Sequence, residues 1–87
     1  MPFANPQTDW SLLSGLLRFA QREGWTVAFQ GDRVRLTHWR AAQGVLVLPA
    51  SVLAHARGAG WRVSRRGSGF ELRHSDVRRR IEVVLAV

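Results

Sequence analysis

The sequence predicts an α+β domain of two αβββ repeats, dsRBD/HicA-like in build, in which antiparallel strands carry the helices on one face. The first observation is that Gly24-Trp25 recurs as Gly60-Trp61, at an offset of 36 residues. The second is that helical apolar spacing precedes each pair, and that alternating residues with a glycine turn follow it. The repeats are expected to cover about 8–48 and 49–87 of a single domain. Further matches at this offset are Leu17 with Leu53, Ala20 with Ala56, Val27 with Val63, Gly31 with Gly67, Leu36 with Leu72, His38 with His74, Val45 with Ile81 and Val47 with Val83.

The first repeat opens with a helix that Thr8 caps, that Asp9 begins and that Gly24 ends. We expect Trp10 to belong to the core of this helix and Phe3 to the tail that covers it. Its core positions follow helical spacing: Leu13, Leu16, Leu17 and Ala20.

Two strands joined by a tight turn follow, and a third strand completes the repeat. Residues 25–30 alternate, with Trp25, Val27 and Phe29 toward the core, and Gln30-Gly31-Asp32 forms the turn. In the return strand, Val34, Leu36 and His38 share the apolar side. The continuous apolar run from Gly44 to Leu48 predicts a more buried third strand.

The second repeat has the same order. Pro49 suits the first turn of its helix, because proline there loses no helical hydrogen bond, and Gly58 and Gly60 end it. Val52, Leu53 and Ala56 are its core positions. The predicted strands run over 61–66, 70–74 and 80–85, with a turn at 67–69.

Composition excludes several classes of protein. With 87 residues the chain is one small domain, too short for a large multi-substrate enzyme. No cysteine is present, and three histidines among six carboxylates show no metal-ligand spacing, so no metal site and no cofactor are expected. No apolar run is long enough for a membrane span, and no secretory signal pattern is seen, so a cytoplasmic protein is expected.

The net charge is +7, and all thirteen basic residues are arginine. Codon bias in a GC-rich genome accounts for part of this excess, so a merely solvated face remains an alternative to a binding surface. A positive sheet face can contact successive phosphates, and guanidinium suits them because it donates two parallel hydrogen bonds. Strand alternation, the hairpin tip and the loop before the last strand give the predicted nucleic-acid contacts: Arg33, Arg35, Arg62, Arg65, Arg66, Arg73, Arg78, Arg79 and Arg80.

Trp39 and two histidines are further candidates. Trp39 follows a strand on its polar side beside Arg40, where it could stack on a base, fill a subunit contact or cover the edge of the core. His38 and His74 occupy equivalent strand ends, where an imidazole could serve acid-base cleavage of RNA. Both fall on the apolar side, so satisfied histidines at the core rim are the alternative.

The stretch from Leu53 to Val83 resembles HicA toxins in its helix, Gly60-Trp61, the hairpin around Gly67-Ser68-Gly69 and a closing strand. Residues 12–60 also resemble this family, in their predicted order of helix, three strands and helix. The resemblance implies a fold of the double-stranded-RNA-binding type and contact with RNA. The family's ribonuclease activity is associated with a histidine that follows Gly-Ser in the hairpin. That place is Gly69 here, and Arg33 in the first repeat.

A small basic protein that binds RNA or DNA duplex backbones without catalysis is the function we expect. One alternative is a HicA-like ribonuclease toxin that acts through His38 or His74. The other is a protein-interaction adaptor, with an antitoxin-like or other protein partner, or a homodimer. The hydrophobic terminal strand from Ile81 to Val87, expected at a sheet edge, motivates this second alternative.

Overall fold

A computed structural model of the chain describes residues 6–85. Within this range the protein is an α+β domain of two α-helices, a short 3₁₀ helix at Ala41–Gln43 and five strands. In chain order the main elements are α1 (Pro6–Arg22), β1 (Trp25–Gln30), β2 (Arg33–His38), α2 (Ala50–Gly58), β3 (Arg62–Arg66), β4 (Gly69–Arg73) and β5 (Arg80–Val84).

The strands form one mixed sheet in the order β1-β2-β5-β4-β3. β5 pairs antiparallel with β4 but parallel with β2, so the prediction of a wholly antiparallel sheet is wrong. Parallel neighbours require a long connection. Here the chain passes through α2, β3 and β4 between β2 and β5, and β5 then runs in the same direction as β2.

The predicted third strand of the first repeat, Gly44 to Leu48, is wrong as well. Residues 45–49 have no regular secondary structure, and Val45, Leu46 and Leu48 are exposed where a buried strand was expected. The reason lies in the sheet order, because β5 occupies the place beside β2 that this segment would take. Only the second repeat, with α2, β3, β4 and β5, has three strands.

The position of β5 shows that the expected homodimer surface is wrong. The segment from Ile81 was expected at an edge of the sheet, yet β5 is the central strand, hydrogen-bonded on both sides. The described edges of the sheet are β1 and β3.

Both helices pack on one face of the sheet around one core. The core positions predicted on the helices are confirmed, as are Trp25 and Trp61, which are 4% and 3% exposed. α1 begins at Pro6, earlier than predicted, because proline is compatible with a first helical turn. The buried apolar residues are Leu13, Leu16, Leu17 and Ala20 of α1, Val52, Leu53 and Ala56 of α2, and Trp25, Val34, Leu36, Leu72, Ile81 and Val83 of the sheet, with Trp61 just before β3, Ala41 in the 3₁₀ helix and Val77 in a loop.

Two aromatic predictions fail. Trp10 is 55% exposed in the first turns of α1, although helical spacing sets it on the same side as Leu13 and Leu17. Phe29 belongs to the helix-facing side of β1, yet it is 53% exposed near the end of the edge strand. Phe3, and the side chain of Thr8, lie outside the described residues.

Candidate nucleic-acid interface

Six of the predicted arginines lie on the face of the sheet opposite the helices, here called the outer face. Residues paired across a ladder share a face, so the buried pairs Leu36 with Val83 and Leu72 with Ile81 identify the helix side. Alternate residues of each strand then belong to the outer face. Its basic residues are Arg33, Arg35, Arg62, Arg66, Arg73 and Arg80, as the strand alternation predicted.

Four of these arginines form one line across four adjacent strands. Arg33 pairs with Arg80 between β2 and β5, and Arg73 pairs with Arg62 between β4 and β3. The Leu72–Ile81 pair sets Arg73 beside Arg80 and closes the line. At about 4.8 Å between strands, this arginine row is about 14 Å long.

Two glutamates lie next to the row on the same face. Glu82 contacts Arg33 at 3.5 Å and Arg35 at 4.0 Å, and Glu71 contacts Arg80 at 3.9 Å and Arg66 at 4.0 Å. Charge-assisted hydrogen bonds between such groups are ordinarily about 2.7–2.9 Å long. These ion pairs are therefore loose, and the guanidinium groups keep donors for another acceptor. Among the described residues, Arg62 and Arg73 make no ion pair at all.

The loop before β5 brings two more predicted arginines to the end of the sheet where the row lies. The backbone N–H of Arg78 donates to Oδ2 of Asp9 at 3.0 Å, which ties the loop to α1. The Arg79 guanidinium lies 5.8 Å from the centroid of the Phe29 ring. Arg78 and Arg79 thus lie at the same end of the sheet as the row, but their contacts are with α1 and with the helix-facing side of β1, and neither is part of the outer face.

Arg65 and Trp39 lie elsewhere. Arg65 pairs with Phe70 on the helix side of the sheet, with its guanidinium 5.4 Å from that ring. Trp39 follows the last residue of β2, whereas the arginine row crosses β2 at its first residue, Arg33. The length of β2 separates them by about 20 Å. The structure does not bring Trp39 into the same site as the row.

His38 is held by the backbone at the rim of the core. Its Nδ1 accepts the N–H of Arg40 at 3.1 Å, so the proton is on Nε2, which donates to the carbonyl oxygen of Glu23 at 3.0 Å. The ring meets Trp25 edge-on at 5.1 Å between centroids. Both ring nitrogens are therefore occupied, and only 7% of the residue is exposed.

His74 repeats this arrangement in the second unit. Its Nδ1 accepts the N–H of Asp76 at 3.0 Å, and its ring meets Trp61 edge-on at 5.4 Å. His38 ends β2 and His74 follows β4, which runs the opposite way, so the two histidines lie at opposite ends of the sheet. They do not form one site. Over the described residues, no three histidine or acidic side chains are grouped closely enough to hold a metal ion.

The displaced segment lines an open groove of about 580 Å³ at the other end of the sheet. Leu46 and Leu48 are 68% and 72% exposed there, beside Trp39. The groove has an apolar wall, and Glu23, His38 and Arg40 bring polar groups to it. It is lined by Glu23, His38, Trp39, Arg40, Val45, Leu46, Val47 and Leu48.

Sequence reasoning missed the two glutamates of the outer face. A signal was available, because Glu71 and Glu82 lie two residues from Arg73 and Arg80 and so share their side of the strand. It missed the arginine row as well, since strand order is needed to bring Arg33 beside Arg80.

No protein-family model, curated protein or solved structure matches the chain. The function is therefore inferred from the interface itself. No helix in residues 6–85 has the length and apolar character needed to cross a membrane.

Proposed function

We propose that this protein binds the phosphate backbone of duplex nucleic acid through the outer face of its sheet, and that it does so without catalysis. The arginine row is the observation that carries the proposal. It sets four arginine residues side by side on a face that neither helix covers.

The row is unfavourable in the free protein. Like charges directly opposite each other on neighbouring strands destabilise a sheet by a few tenths of a kcal/mol to about 1 kcal/mol per pair. The row contains three such contacts in succession, and Glu71 and Glu82 offset them only through loose ion pairs. Bound phosphates would relieve this repulsion and release their counterions.

The side chains of the outer face favour backbone contact over contact with bases. Single-stranded binders stack bases on aromatic rings, whereas duplex binders of similar build contact phosphates and recognise shape. No aromatic residue belongs to the outer face within the described strands. Its remaining members are Thr26, Ala28, Gln30, Thr37, Ser64, Gly69 and Val84, together with Glu71 and Glu82.

The finer fold assignment belongs to the same proposal. α2, β3, β4 and β5 follow one another as a helix and three antiparallel neighbours, the order of the HicA-like resemblance. In both units a histidine packs against the tryptophan of the Gly-Trp pair, and this shared corner supports an origin of the two units by duplication. At Gly69, where the family has its histidine, a Cβ atom would collide with the carbonyl oxygen of Val83. The cytoplasmic location and an antitoxin-like partner stay predictions.

Fluorescence anisotropy with labelled duplex RNA, duplex DNA and single-stranded RNA, across a series of salt concentrations, tests the proposal. We expect both duplexes to bind more tightly than the single strand. Affinity should fall with salt at a slope of about −0.9 per phosphate contacted. The probes are then run on a denaturing gel, where we expect them to be intact. Cleaved RNA would contradict the non-catalytic part.

A charge-matched pair of variants locates the interface. R62Q/R73Q removes two charges from the row, and R18Q/R57Q removes two from the exposed helix surfaces on the opposite side. The first should reduce the salt slope by about two, and the second should leave it unchanged. Equal loss in both would mean that net charge alone binds the probe, which would overturn the assignment to the outer face.

A further inference from the structure

The two edges of the sheet differ in chemistry. β3 has arginine at 62, 65 and 66, and such charges on an edge strand prevent pairing with another chain. β1 has the sequence Trp-Thr-Val-Ala-Phe-Gln, with no charged residue and no proline. An uncharged six-residue strand rich in aromatic and β-branched residues readily pairs with a further strand.

The backbone of β1 is oriented for such pairing. Gly31 has a φ of +63° and no other residue of the turn has a positive φ, which fits a two-residue turn of type II′. Gln30 and Arg33 close this turn and therefore exchange hydrogen bonds. By the alternation of an antiparallel ladder, the N–H and C=O groups of Val27 and Phe29 then point away from β2, toward the open edge.

We propose that two copies of this chain pair antiparallel through β1, about a two-fold axis at Val27, and so form one continuous ten-stranded sheet. In this register Val27 faces its own counterpart and Trp25 faces the second copy's Phe29. Thr26 faces the second copy's Ala28. The strand is self-complementary on the outer side, where small meets small and no charged residues of β1 are brought together, whereas Trp25 is only 4% exposed and adds little contact to the second copy's Phe29.

Charge makes β1 the edge at which two copies can meet. Two chains of charge +7 repel each other, and they approach with least opposition along a strand that has no charged residue of its own, where the nearby Arg79 guanidinium lies against the Phe29 ring. Self-pairing through β3 would bring six arginines together. Pairing through β1 also covers the Phe29 ring, which is 53% exposed in the single chain. The outer face stays open, so this dimer and nucleic-acid binding are separable.

Sedimentation velocity over a range of protein concentrations tests the dimer, with no nucleic acid present. We expect a species of twice the 9.8 kDa chain mass. Raising the salt should strengthen it, because salt screens the repulsion between the copies. A species of single-chain mass at every concentration and salt would overturn the proposal.

Lysine substitutions in β1 test whether this edge is the contact between the two copies. T26K/A28K changes two exposed residues of β1 and sets lysine opposite lysine across the axis, so we expect it to run as a monomer. S64K/S68K adds the same charge beside β3 and should remain a dimer. Circular dichroism confirms folding of both. Loss of the dimer on changing Leu46 and Leu48 to Asp, with T26K/A28K still dimeric, would assign the interface to the groove and refute β1.

A cysteine cross-link tests the register independently, because the chain has no cysteine of its own. Hydrogen-bonded antiparallel partners have Cα atoms about 5.5 Å apart, within the range of a disulfide. V27C should therefore form a covalent dimer on mild oxidation. Q30C is on the same strand, but its two copies would be about 20 Å apart in this register. Cross-linking of Q30C and not of V27C would overturn the proposed register.

Discussion

The two repeats of the molecule share their hairpin corners but differ in their third strand. In each, a histidine packs edge-on against the tryptophan of the Gly-Trp pair and accepts a backbone N–H through Nδ1. In the second repeat the segment after the hairpin is β5, the centre of the sheet. In the first it is an exposed segment outside the sheet. The comparison shows that the place between the two hairpins admits one strand, and that the second repeat supplies it.

The residue pattern explains which segment takes that place. A central strand of this sheet must be apolar toward the helices and polar toward the outer face. β5 alternates in this way, with Ile81 and Val83 inside and with Arg80 and Glu82 pairing to both neighbouring hairpins. The segment Val-Leu-Val-Leu at 45–48 has no polar residue and would place two apolar side chains on the outer face.

The equivalent residues Ile81 and Val45 should differ most under truncation. Ile81 is fully buried and Val45 is 47% exposed. We expect I81A to lower the free energy of unfolding by about 3 kcal/mol, because it removes buried methyl groups and leaves a cavity. V45A should change it by less than about 0.5 kcal/mol. Urea unfolding followed by circular dichroism measures both, and similar losses would mean that the segment at 45–48 is packed in solution.

A smaller contrast is expected at Gly69 and its equivalent, Arg33. A Cβ atom at Gly69 would collide with the backbone carbonyl of Val83, which cannot move without disturbing β5. G69A should therefore cost about 2 kcal/mol. R33A removes one loose ion pair with Glu82 and one like-charge contact with Arg80, which oppose each other, so it should change the free energy of unfolding by about 0.5 kcal/mol or less. The same unfolding assay applies, and a neutral G69A would show that β4 and β5 approach less closely than described.

The smallest contrast lies between the two corner glycines. Gly24 and Gly60 both have positive φ, and an added Cβ would lie 2.6 Å from Nε2 of His38 at the first and 3.0 Å from Nε2 of His74 at the second. Positive φ alone costs an alanine about 1 kcal/mol. The loss in free energy of unfolding should be several tenths of a kcal/mol larger for G24A than for G60A, because the contact at Gly24 is the tighter.

Gly44 provides the control for this pair, since it also has a positive φ, +83°, and nothing within 4 Å of the added atom. G44A should show the backbone cost without the contact. If thermal unfolding ranked G44A as the most damaging of the three, the close fit of the histidines against the glycines would be refuted.

Local features of the fold were predictable from the sequence, and the arrangement of its strands was not. Helical spacing located the buried side of both helices, and glycines located the turns. Alternation assigned six arginines to one face. It could not show that Arg33 lies beside Arg80, because the two are far apart in the chain and meet only through the parallel pairing of β2 with β5.

The error at residues 44–48 has a definite cause. An unbroken apolar run is typical of strands buried on both faces, whereas the sheet here has helices on one face only. The predicted arrangement, with helices on one face, already argued against such a strand. Strand order is what local patterns do not reveal, and without it β5 was placed at an edge and β1, the uncharged edge, was unnoticed.

The central position of β5 has a consequence for how the protein folds as it is made. The first hairpin emerges from the ribosome well before its neighbour β5, and until residues 80–84 are synthesised it has an open, apolar side. The sheet cannot close from its N-terminal half alone. Closure of the sheet therefore waits until β5 has been made, and chains interrupted before β5 expose two hairpins with nothing between them.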